Sequence, residues 1–283
     1  MGLISDISIK FRYLDILQKT IVVMVVCFML PFFINTFLFL FQLDEFSILK
    51  FFDVSPDINE IVWKPWSIIT YAFFHADLWH LLGNMLILYI SGSVVLNLFG
   101  KEKFLKAFVL GIIAGSLTYL VSYNIFPAFN NLKSSMIGAS AGVMSVFVFL
   151  TSYKPDFRIR LLIFDIKIIY IAIVLLITDV IQIPSGNSGG HLAHLGGAFI
   201  GFYYQNKISK GKDFAKWIII FYNFIFKGFY KNKKIKYRTY SKKTNLKSVN
   251  QKDIDSILDK ISKSGYDSLS KKDKETLFKA GKK

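Results

Sequence analysis

The sequence predicts an all-α membrane protein with six transmembrane helices, followed by a small helical cytoplasmic tail. Hydrophobic residues make up 53% of the 283 residues and charged residues only 19%, whereas charged residues form roughly a quarter of a soluble domain. Several apolar runs have the length of a membrane-spanning helix. The loops between these runs alternate in charge, which is typical of a chain that crosses a membrane repeatedly.

Each predicted span is an apolar run with few charges, and the spans are residues 20–43, 78–98, 104–126, 136–153, 161–183 and 190–206. The first loop, 44–77, is long, acidic and rich in aromatic residues, so we expect part of it to lie in the outer membrane interface. Basic residues dominate 99–107, 154–160 and the chain after 206. The positive-inside rule therefore predicts that both termini are cytoplasmic.

The net charge of +16 is concentrated in the C-terminal part, where residues 207–283 hold 22 Lys and Arg against 7 Asp and Glu. We divide the chain into a membrane domain (1–206), an interfacial segment with a basic linker (207–252) and a small helical module (253–283). A basic tail tethered to a bilayer is expected to contact anionic lipid or a cytoplasmic protein, and no nucleic-acid partner is expected.

The module 253–283 is predicted to form two short helices. Asp253 is expected to cap the first helix and Gly265 to end it, while Ser270 and Asp273 form a capping-box variant for the second. The single cysteine, Cys27, lies in the first span, which excludes a disulfide framework and a thiolate metal site. The first span also lacks a cleavage site, so we interpret it as retained.

Polar side chains inside spans are costly and hence are functional candidates. His80 and Asn84 fall in the first turns of the second span, Ser140 in those of the fourth, and His194 near the start of the sixth. These three spans run in the same direction, so the four side chains are predicted to form one layer near the outer face. Residues four apart share a helix face, which places His80 beside Asn84.

Small residues spaced by four follow two of these spans: Gly138 and Gly142 in the fourth, then Ala193, Gly197 and Gly201 in the sixth. Such stripes often serve only to let helices pack closely. Here close packing would also bring Ser140 and His194 to hydrogen-bonding distance. A serine and a histidine are the minimum for nucleophilic catalysis, with His80 and Asn84 as donors to an oxyanion.

These residues resemble the rhomboid intramembrane serine protease family over roughly residues 60–205. The matching motifs are Gly138-Ala139-Ser140, His80-Leu81-Leu82-Gly83-Asn84 and Ala193-His194-Leu195-Gly196-Gly197. In the first loop, Trp66 and His75 stand where the family often has a tryptophan and a histidine. Residues 254–279 also resemble a small module that is appended to some bacterial rhomboid proteins.

The resemblance implies a six-helix rhomboid-like bundle that cleaves single-pass membrane proteins in or near their transmembrane segments. Ser140 would be the nucleophile and His194 the base, with no third acidic residue, no cofactor and no metal ion. His80, Asn84 and the Ser140 backbone N–H would hold the oxyanion. Gly138, Trp66, His75 and Met144 would serve substrate contact, loop structure or packing. We expect a multi-pass protein of a bacterial inner membrane.

Three positions depart from the family pattern. Ser67 replaces an arginine that often follows the tryptophan, Ala141 replaces a common glycine, and Met144 stands where an aromatic residue often packs. None of these changes removes a chemical group from the predicted site. We therefore expect altered loop mobility and substrate choice rather than inactivity.

Four alternatives compete with this interpretation. One is a catalytically inactive rhomboid-like protein that binds membrane clients, and another is a small-solute transporter. A metal site is disfavoured because no carboxylate is expected beside His191 and His194, and His191 is interpreted as a loop or helix-start residue. Asp165 and Asp179 are 14 residues apart, about 21 Å along a helix, so we interpret them as interfacial residues and not as an aspartyl dyad.

Overall fold

The computed structural model describes residues 10–44, 46–130, 132, 134–161, 164–226 and 251–281. The chain divides into two compact units, Met1–Tyr230 and Lys231–Lys283. Most of the predicted basic linker lies outside the described residues. The main α-helices of the first unit are α1 (Ile16–Leu40), α2 (Ile58–Trp63), α3 (Ser67–Thr70), α4 (Leu78–Ile125), α5 (Ser140–Tyr153), α6 (Ile168–Gln182), α7 (Ser188–Ser209) and α8 (Lys216–Phe226).

Three helical segments are long and apolar enough to cross a membrane: Ile16–Leu40, Leu78–Ile125 and Ile168–Ser185. The chain is therefore a multi-pass membrane protein. At 48 residues, α4 contains both the second and the third predicted span, and it breaks at Gly100, where φ is +77°. Glycine adopts this left-handed conformation without the penalty that a side chain would add.

The description as all-α is wrong in one place. The strands β1 (Arg158–Leu161) and β2 (Phe164–Lys167) form an antiparallel hairpin in which Arg160 pairs with Asp165. This hairpin occupies the stretch where the fifth span was expected to begin, so α6 starts at Ile168. The alternation of charged and apolar residues in both strands favours a two-residue period over a helical one.

Helix α5 lies at the centre of the first unit, and eleven of its fourteen residues are buried. It is enclosed by glycines of the second half of α4 on one side and of α7 on the other. A Cβ atom on Gly115 would lie 2.3 Å from the Ala141 Cβ, and one on Gly197 would lie 2.1 Å from the Ala141 carbonyl oxygen. These distances leave no room for any side chain, so the three helices touch nearly backbone to backbone.

One turn further along, the same arrangement repeats. A Cβ on Gly111 of α4 would lie 2.4 Å from the Ser145 Cβ, and one on Gly201 of α7 would lie 2.2 Å from the Ser145 carbonyl oxygen. The α7 stripe was therefore predicted correctly, but the α5 stripe was not. Gly142 faces Phe108 of α4, 2.7 Å from an ideal Cβ, so α5 meets α7 through Ala141 and Ser145.

The opposite end of the bundle is held by a partly buried ionic cluster around Asp213. Lys103 and Lys106 both donate to its carboxylate, and the Tyr204 hydroxyl donates to the other oxygen at 3.2 Å. Burial alone would raise the pKa of Asp213, but the two ammonium groups outweigh it and lower the pKa to about 2. This cluster joins α4 and α7 to the segment before α8.

The second unit contains α9 (Gln251–Ser264) and α10 (Lys271–Ala280). Asp253 is not the cap of α9, because the helix already begins at Gln251 and places this carboxylate in its first turn. Gly265 ends α9 with φ +77°. The Ser270 hydroxyl caps α10 and accepts a hydrogen bond from the Asp273 N–H at 3.2 Å.

Substituting Gly197→Ala tests the close approach of α5 and α7. We expect a loss of about 2–3 kcal/mol in the free energy of unfolding, because the new methyl group meets backbone atoms that cannot move aside. Gly83→Ala in α4 is the matched control, since a Cβ there would meet nothing within 4 Å. Unfolding in detergent micelles measures both variants. Equal stability of the two would contradict the packing described here.

Candidate active site at the N-terminal ends of three helices

Ser140 is the first residue of α5 and is only partly buried. The backbone N–H groups of a first helical turn have no acceptor within the helix and favour an anion. Two residues earlier, Gly138 has φ +128°, and a Cβ at this position would lie 2.7 Å from the His80 ring. Both the backbone conformation and the space therefore require glycine at this position.

The segment before Ser140 is held by hydrogen bonds to the first loop. Met136 and Val54 exchange two backbone hydrogen bonds of 3.0 Å each, and the Gly138 N–H donates to the Tyr71 carbonyl at 3.0 Å. The Tyr71 side chain is buried, and its hydroxyl donates to the Ile112 carbonyl of α4 at 2.8 Å. The first loop thus fixes the backbone that leads into α5.

His75 extends this support to the residue next to the serine. Its imidazole is buried, and Nε2 accepts a hydrogen bond from the Ala139 N–H at 3.4 Å. The proton of the neutral ring is then on Nδ1, which has no partner among the described residues. Burial, with a smaller effect from nearby His80, lowers the pKa of His75 to about 4.

His80 and Asn84 lie in the first two turns of α4, which Asp77 caps by accepting from the His80 N–H at 2.9 Å. The His80 ring lies against Gly138 and contacts the His75 ring edge-on at 5.2 Å. Asn84 is 7% exposed, and its Nδ2 has no partner within the described ranges. A buried amide donor without an acceptor is unfavourable unless a ligand provides one.

His194 of α7 has a partner that the sequence analysis missed. Its Nδ1 lies 2.8 Å from Oδ1 of Asp179 in the last turn of α6, and the Nδ1 of His191 lies 2.9 Å from the same oxygen. Asp179 is 6% exposed, so its interpretation as an interfacial residue is wrong. The expectation that no carboxylate accompanies His191 and His194 is also wrong, because Asp179 lies at hydrogen-bonding distance from both.

A signal for this contact was present in the sequence. The loop 184–189 is short and uncharged, so α6 and α7 must run antiparallel and meet near the turn. Asp179 and His194 are equidistant from the middle of that loop, and His191 is one turn nearer to it. Residues at equal distances from a tight turn between two helices become neighbours. This proximity is not visible when each span is considered alone.

The packing of α5 against α7 places Ser140 and His194 near the same end of the two helices, but the two side chains are not hydrogen-bonded to each other. Gly197 of α7 lies against Ala141 of α5, and His194 is one turn before Gly197. Among the described residues, however, the Ser140 hydroxyl makes no hydrogen bond with His194. Catalytic hydrogen bonds are often long before substrate binds.

The remaining predicted residues support the loop and the core. The Trp66 indole donates to the Phe51 carbonyl at 2.7 Å, which anchors it within the first loop. Ser67 is fully buried, and its hydroxyl has no partner in the described part of the chain. Met144 is buried one turn beyond Ser140 on α5.

Within the described ranges, Asp179, His191 and His194 are the cluster that could hold a metal ion, with ligand atoms within 4.8 Å of one another. Two ligands of a tetrahedral zinc ion lie about 3.3 Å apart, given bonds of about 2.0 Å. The separations of 2.8 and 2.9 Å between nitrogen and oxygen are instead those of hydrogen bonds. We therefore interpret the cluster as a hydrogen-bond network.

The Rhomboid domain family model matches residues 62–211, which is more than half of the chain. The chain belongs to the rhomboid family. A second model, a family of unknown function (DUF6576), matches residues 239–283 of this rhomboid protein. The resemblance inferred from the three motifs is thus confirmed.

Curated relatives share the rhomboid region at low identity. RHOMBOID-like protein 12, mitochondrial, of Arabidopsis thaliana is 28% identical over 158 residues, or 52% of this chain and 47% of the relative. Rhomboid protein 1, mitochondrial, of Saccharomyces cerevisiae is 31% identical over 153 residues, or 52% and 43%. The human presenilin-associated rhomboid-like protein, mitochondrial, is 26% identical over 163 residues, or 56% and 41%.

The alignments cover less than half the length of these three relatives. All three relatives are named as mitochondrial proteins, so they give no support for the predicted bacterial membrane.

The buried His75 predicts a pH-dependent stability. Its pKa is lowered to about 4, so the unfolded state binds more protons than the folded state between that value and the ordinary pKa near 6.5. The free energy of unfolding that the neutral His75 ring contributes is fully present above about pH 6.5 and is lost as the pH falls towards 4. We expect wild type to lose about 2 kcal/mol between pH 7 and 5 from this group.

Unfolding of wild type and His75→Gln in detergent at both pH values measures this contribution. Glutamine retains a hydrogen-bond acceptor but does not titrate, so the variant should lose less stability on acidification. An identical pH dependence of the two proteins would contradict the assignment to His75.

Proposed function

We propose that this rhomboid protein is an intramembrane serine endopeptidase that hydrolyses peptide bonds in or near transmembrane segments of single-pass membrane proteins. In this proposal the chain crosses the bilayer six times with both termini in the cytoplasm. The observation that supports it is a set of polar groups at the first turns of α4 and α5. The His80 ring lies against Gly138, two residues before Ser140, and the buried Asn84 amide has no partner among the described residues.

In the proposed reaction, Nε2 of His194 takes the proton of the Ser140 hydroxyl while Oγ attacks the scissile carbonyl carbon. The C–N bond then breaks, and the His194 imidazolium gives its proton to the departing amine. An acyl group remains on Oγ. A water molecule, activated by the same imidazole, hydrolyses this ester and releases the second product, which restores the serine.

The negative charge that forms on the carbonyl oxygen needs donors that are already in place. The proposed donors are the Ser140 N–H, Asn84 Nδ2 and the His80 ring. The unpartnered state of Asn84 supports this role, since its donor is aimed at no protein acceptor among the described residues and would gain one only as the oxyanion forms. The interaction is therefore stronger in the transition state than in the free enzyme.

The proposed substrate class follows from the location of the site. A transmembrane helix satisfies its own backbone hydrogen bonds and must unwind locally before a carbonyl can reach Ser140. Glycine or proline in the substrate lowers the free energy of that unwinding. The bilayer is thus a partner as well, because it delivers the substrate sideways to the bundle.

A second candidate is a rhomboid-like protein that binds membrane clients without cleaving them. The observation that favours it is the missing hydrogen bond between Ser140 and His194 among the described residues. The experiments below separate the two functions, because client binding requires no activated hydroxyl.

An activated serine should react with a fluorophosphonate probe. We expect wild type to be labelled, while Ser140→Ala and His194→Ala lose both labelling and cleavage of a reporter transmembrane substrate. Ser152→Ala removes a hydroxyl from the other end of α5 and is the matched control. If wild type is not labelled, or if either variant keeps full activity, the proposed roles are wrong.

Asn84→Ala should separate catalysis from stability. We expect turnover to fall by about 10–10³-fold, because one oxyanion donor is lost. The free energy of unfolding should stay equal or rise, since the removed amide has no protein partner. Asn124→Ala provides the reverse pattern: its amide donates to the Pro56 and Leu120 carbonyls, so stability falls and turnover remains.

The measurements are turnover of a reporter substrate and unfolding in the same detergent. A loss of Asn84→Ala activity that is matched by a loss of folded protein would assign Asn84 a structural role instead.

A further inference from the structure

A carboxylate and two imidazoles form a buried cluster where the end of α6 meets the start of α7. Asp179 Oδ1 lies 2.8 Å from Nδ1 of His194 and 2.9 Å from Nδ1 of His191. The exposed fraction of the Asp179 side chain is 9%, and those of His191 and His194 are 13% and 20%. A buried carboxylate is retained only when it is paired or hydrogen-bonded, and here both bonds go to imidazole nitrogens.

The first consequence of this contact is the tautomer of His194. An ionised carboxylate only accepts hydrogen bonds, so the Nδ1 that faces Asp179 must carry the proton. The lone pair of the neutral ring is then on Nε2, at the opposite side of the imidazole. That is the nitrogen required to take a proton from a serine, whereas the other tautomer presents an N–H there.

The second consequence concerns charge. When His194 takes the serine proton it becomes an imidazolium, and the resulting positive charge lies beside the Asp179 carboxylate. In a site of low effective dielectric this attraction is stronger than in water. The carboxylate therefore stabilises the state of His194 that exists during the reaction more than it stabilises the resting ring.

His191 explains why the carboxylate stays in place. One carboxylate oxygen can accept two hydrogen bonds, and Oδ1 of Asp179 receives one from each histidine. His191 is three residues before His194 on the same helix, so its donor fixes the carboxylate from the same side. It is thus a second support for Asp179.

We propose that Asp179 is a positioning residue for His194, and that the chain works with a Ser140–His194–Asp179 arrangement in place of a serine–histidine pair. This inference rests on the proposed protease function. The competing explanation is a structural one, because Asp179 is one of only three buried residues of α6 and its bonds also attach α6 to α7. A metal centre is a further explanation to be tested.

The first experiment uses the full chain in detergent and a reporter transmembrane peptide. We expect Asp179→Asn to lower kcat by about 10²-fold, because an asparagine amide no longer enforces the Nδ1–H tautomer or offsets the imidazolium charge. KM should change by less than about threefold. The acidic limb of the pH–rate profile should move to lower pH, since the protonated imidazole loses its anionic neighbour.

Three further variants accompany it. Asp165→Asn removes the same charge from an exposed position on β2 and should leave kcat unchanged. His191→Asn breaks one bond to Asp179 but retains the bond to His194, and should keep at least about a third of kcat. Asp179→Glu, which keeps the charge, should recover part of the activity that Asp179→Asn loses.

Three outcomes would overturn the inference. Wild-type kcat and pH profile in Asp179→Asn would exclude any positioning role. A loss of activity that follows a loss of folded protein, with an unshifted pH profile, would assign Asp179 to holding α6 on α7. Loss of wild-type activity on adding EDTA, with His191→Asn as damaging as Asp179→Asn, would identify a metal centre.

A second measurement does not depend on activity. The chain has four histidines, so ¹⁵N spectra of the imidazole rings can be assigned by single substitutions. We expect the Nδ1–H tautomer for His194 in wild type and a mixture of tautomers in Asp179→Asn. An Nε2–H tautomer in wild type would overturn the inference even in an active protein. If wild type fails to react with a fluorophosphonate but shows the Nδ1–H tautomer, the proposed function fails and the positioning contact remains.

Discussion

The backbone contact between α5 and its two neighbours is the constraint on which the rest of the first unit depends. Glycines of α4 and α7 face Ala141 and Ser145 at distances that leave no room for a Cβ atom. Without a hydrophobic driving force between helices in lipid, such packing relies on dispersion contacts that vanish if the helices separate slightly. Ser140 directly precedes Ala141, and His194 is one turn before Gly197. The packing of these helices therefore also sets the geometry of the site.

The first loop supplies a second constraint of a different kind. Its backbone and the His75 side chain form hydrogen bonds to residues 136–139, immediately before the nucleophile candidate. Ordered backbone outside regular structure must satisfy its polar groups through such bonds. The loop therefore acts as part of the site, although none of its residues is proposed to touch the bond that is cleaved. Ser67 in this loop is buried, and its hydroxyl has no partner among the described residues.

Much of this arrangement could be predicted from the sequence. Hydropathy predicted apolar helices, and three of the described helical segments are long and apolar enough to cross a membrane. The charge of the loops predicted the direction of each span. The α7 stripe was predictable because Ala193, Gly197 and Gly201 recur every four residues. The break at Gly100 falls between the predicted second and third spans. The hairpin before α6 was missed because residues 161–167 were assigned to the fifth span, although charged and apolar residues alternate along both strands. The α5 contact surface was misassigned since Gly142 and Ala141 are adjacent, and only the rotation of the packed helix decides which one faces α7.

Asp179 could not be placed by considering each span alone. Its position is determined by the tight turn between α6 and α7, which folds a carboxylate back onto two imidazoles, and the spacing of 15 residues along the chain hides this proximity. When two consecutive helices are antiparallel, polar residues at equal distances from the turn between them become neighbours. The distance between Ser140 and His194 likewise depends on how α5 packs against α7, and small displacements of either helix change it.

The length of α5 limits how far it can extend across a bilayer. Its fourteen residues extend about 21 Å, while the hydrocarbon layer of a typical bilayer is about 30 Å thick. Eleven of these residues are buried, so neighbouring helices and not lipid chains surround α5. In the proposed six-span topology, at least one end of α5 therefore lies several ångströms inside the hydrocarbon layer, where the walls formed by longer helices and not the lipid determine how polar its surroundings are.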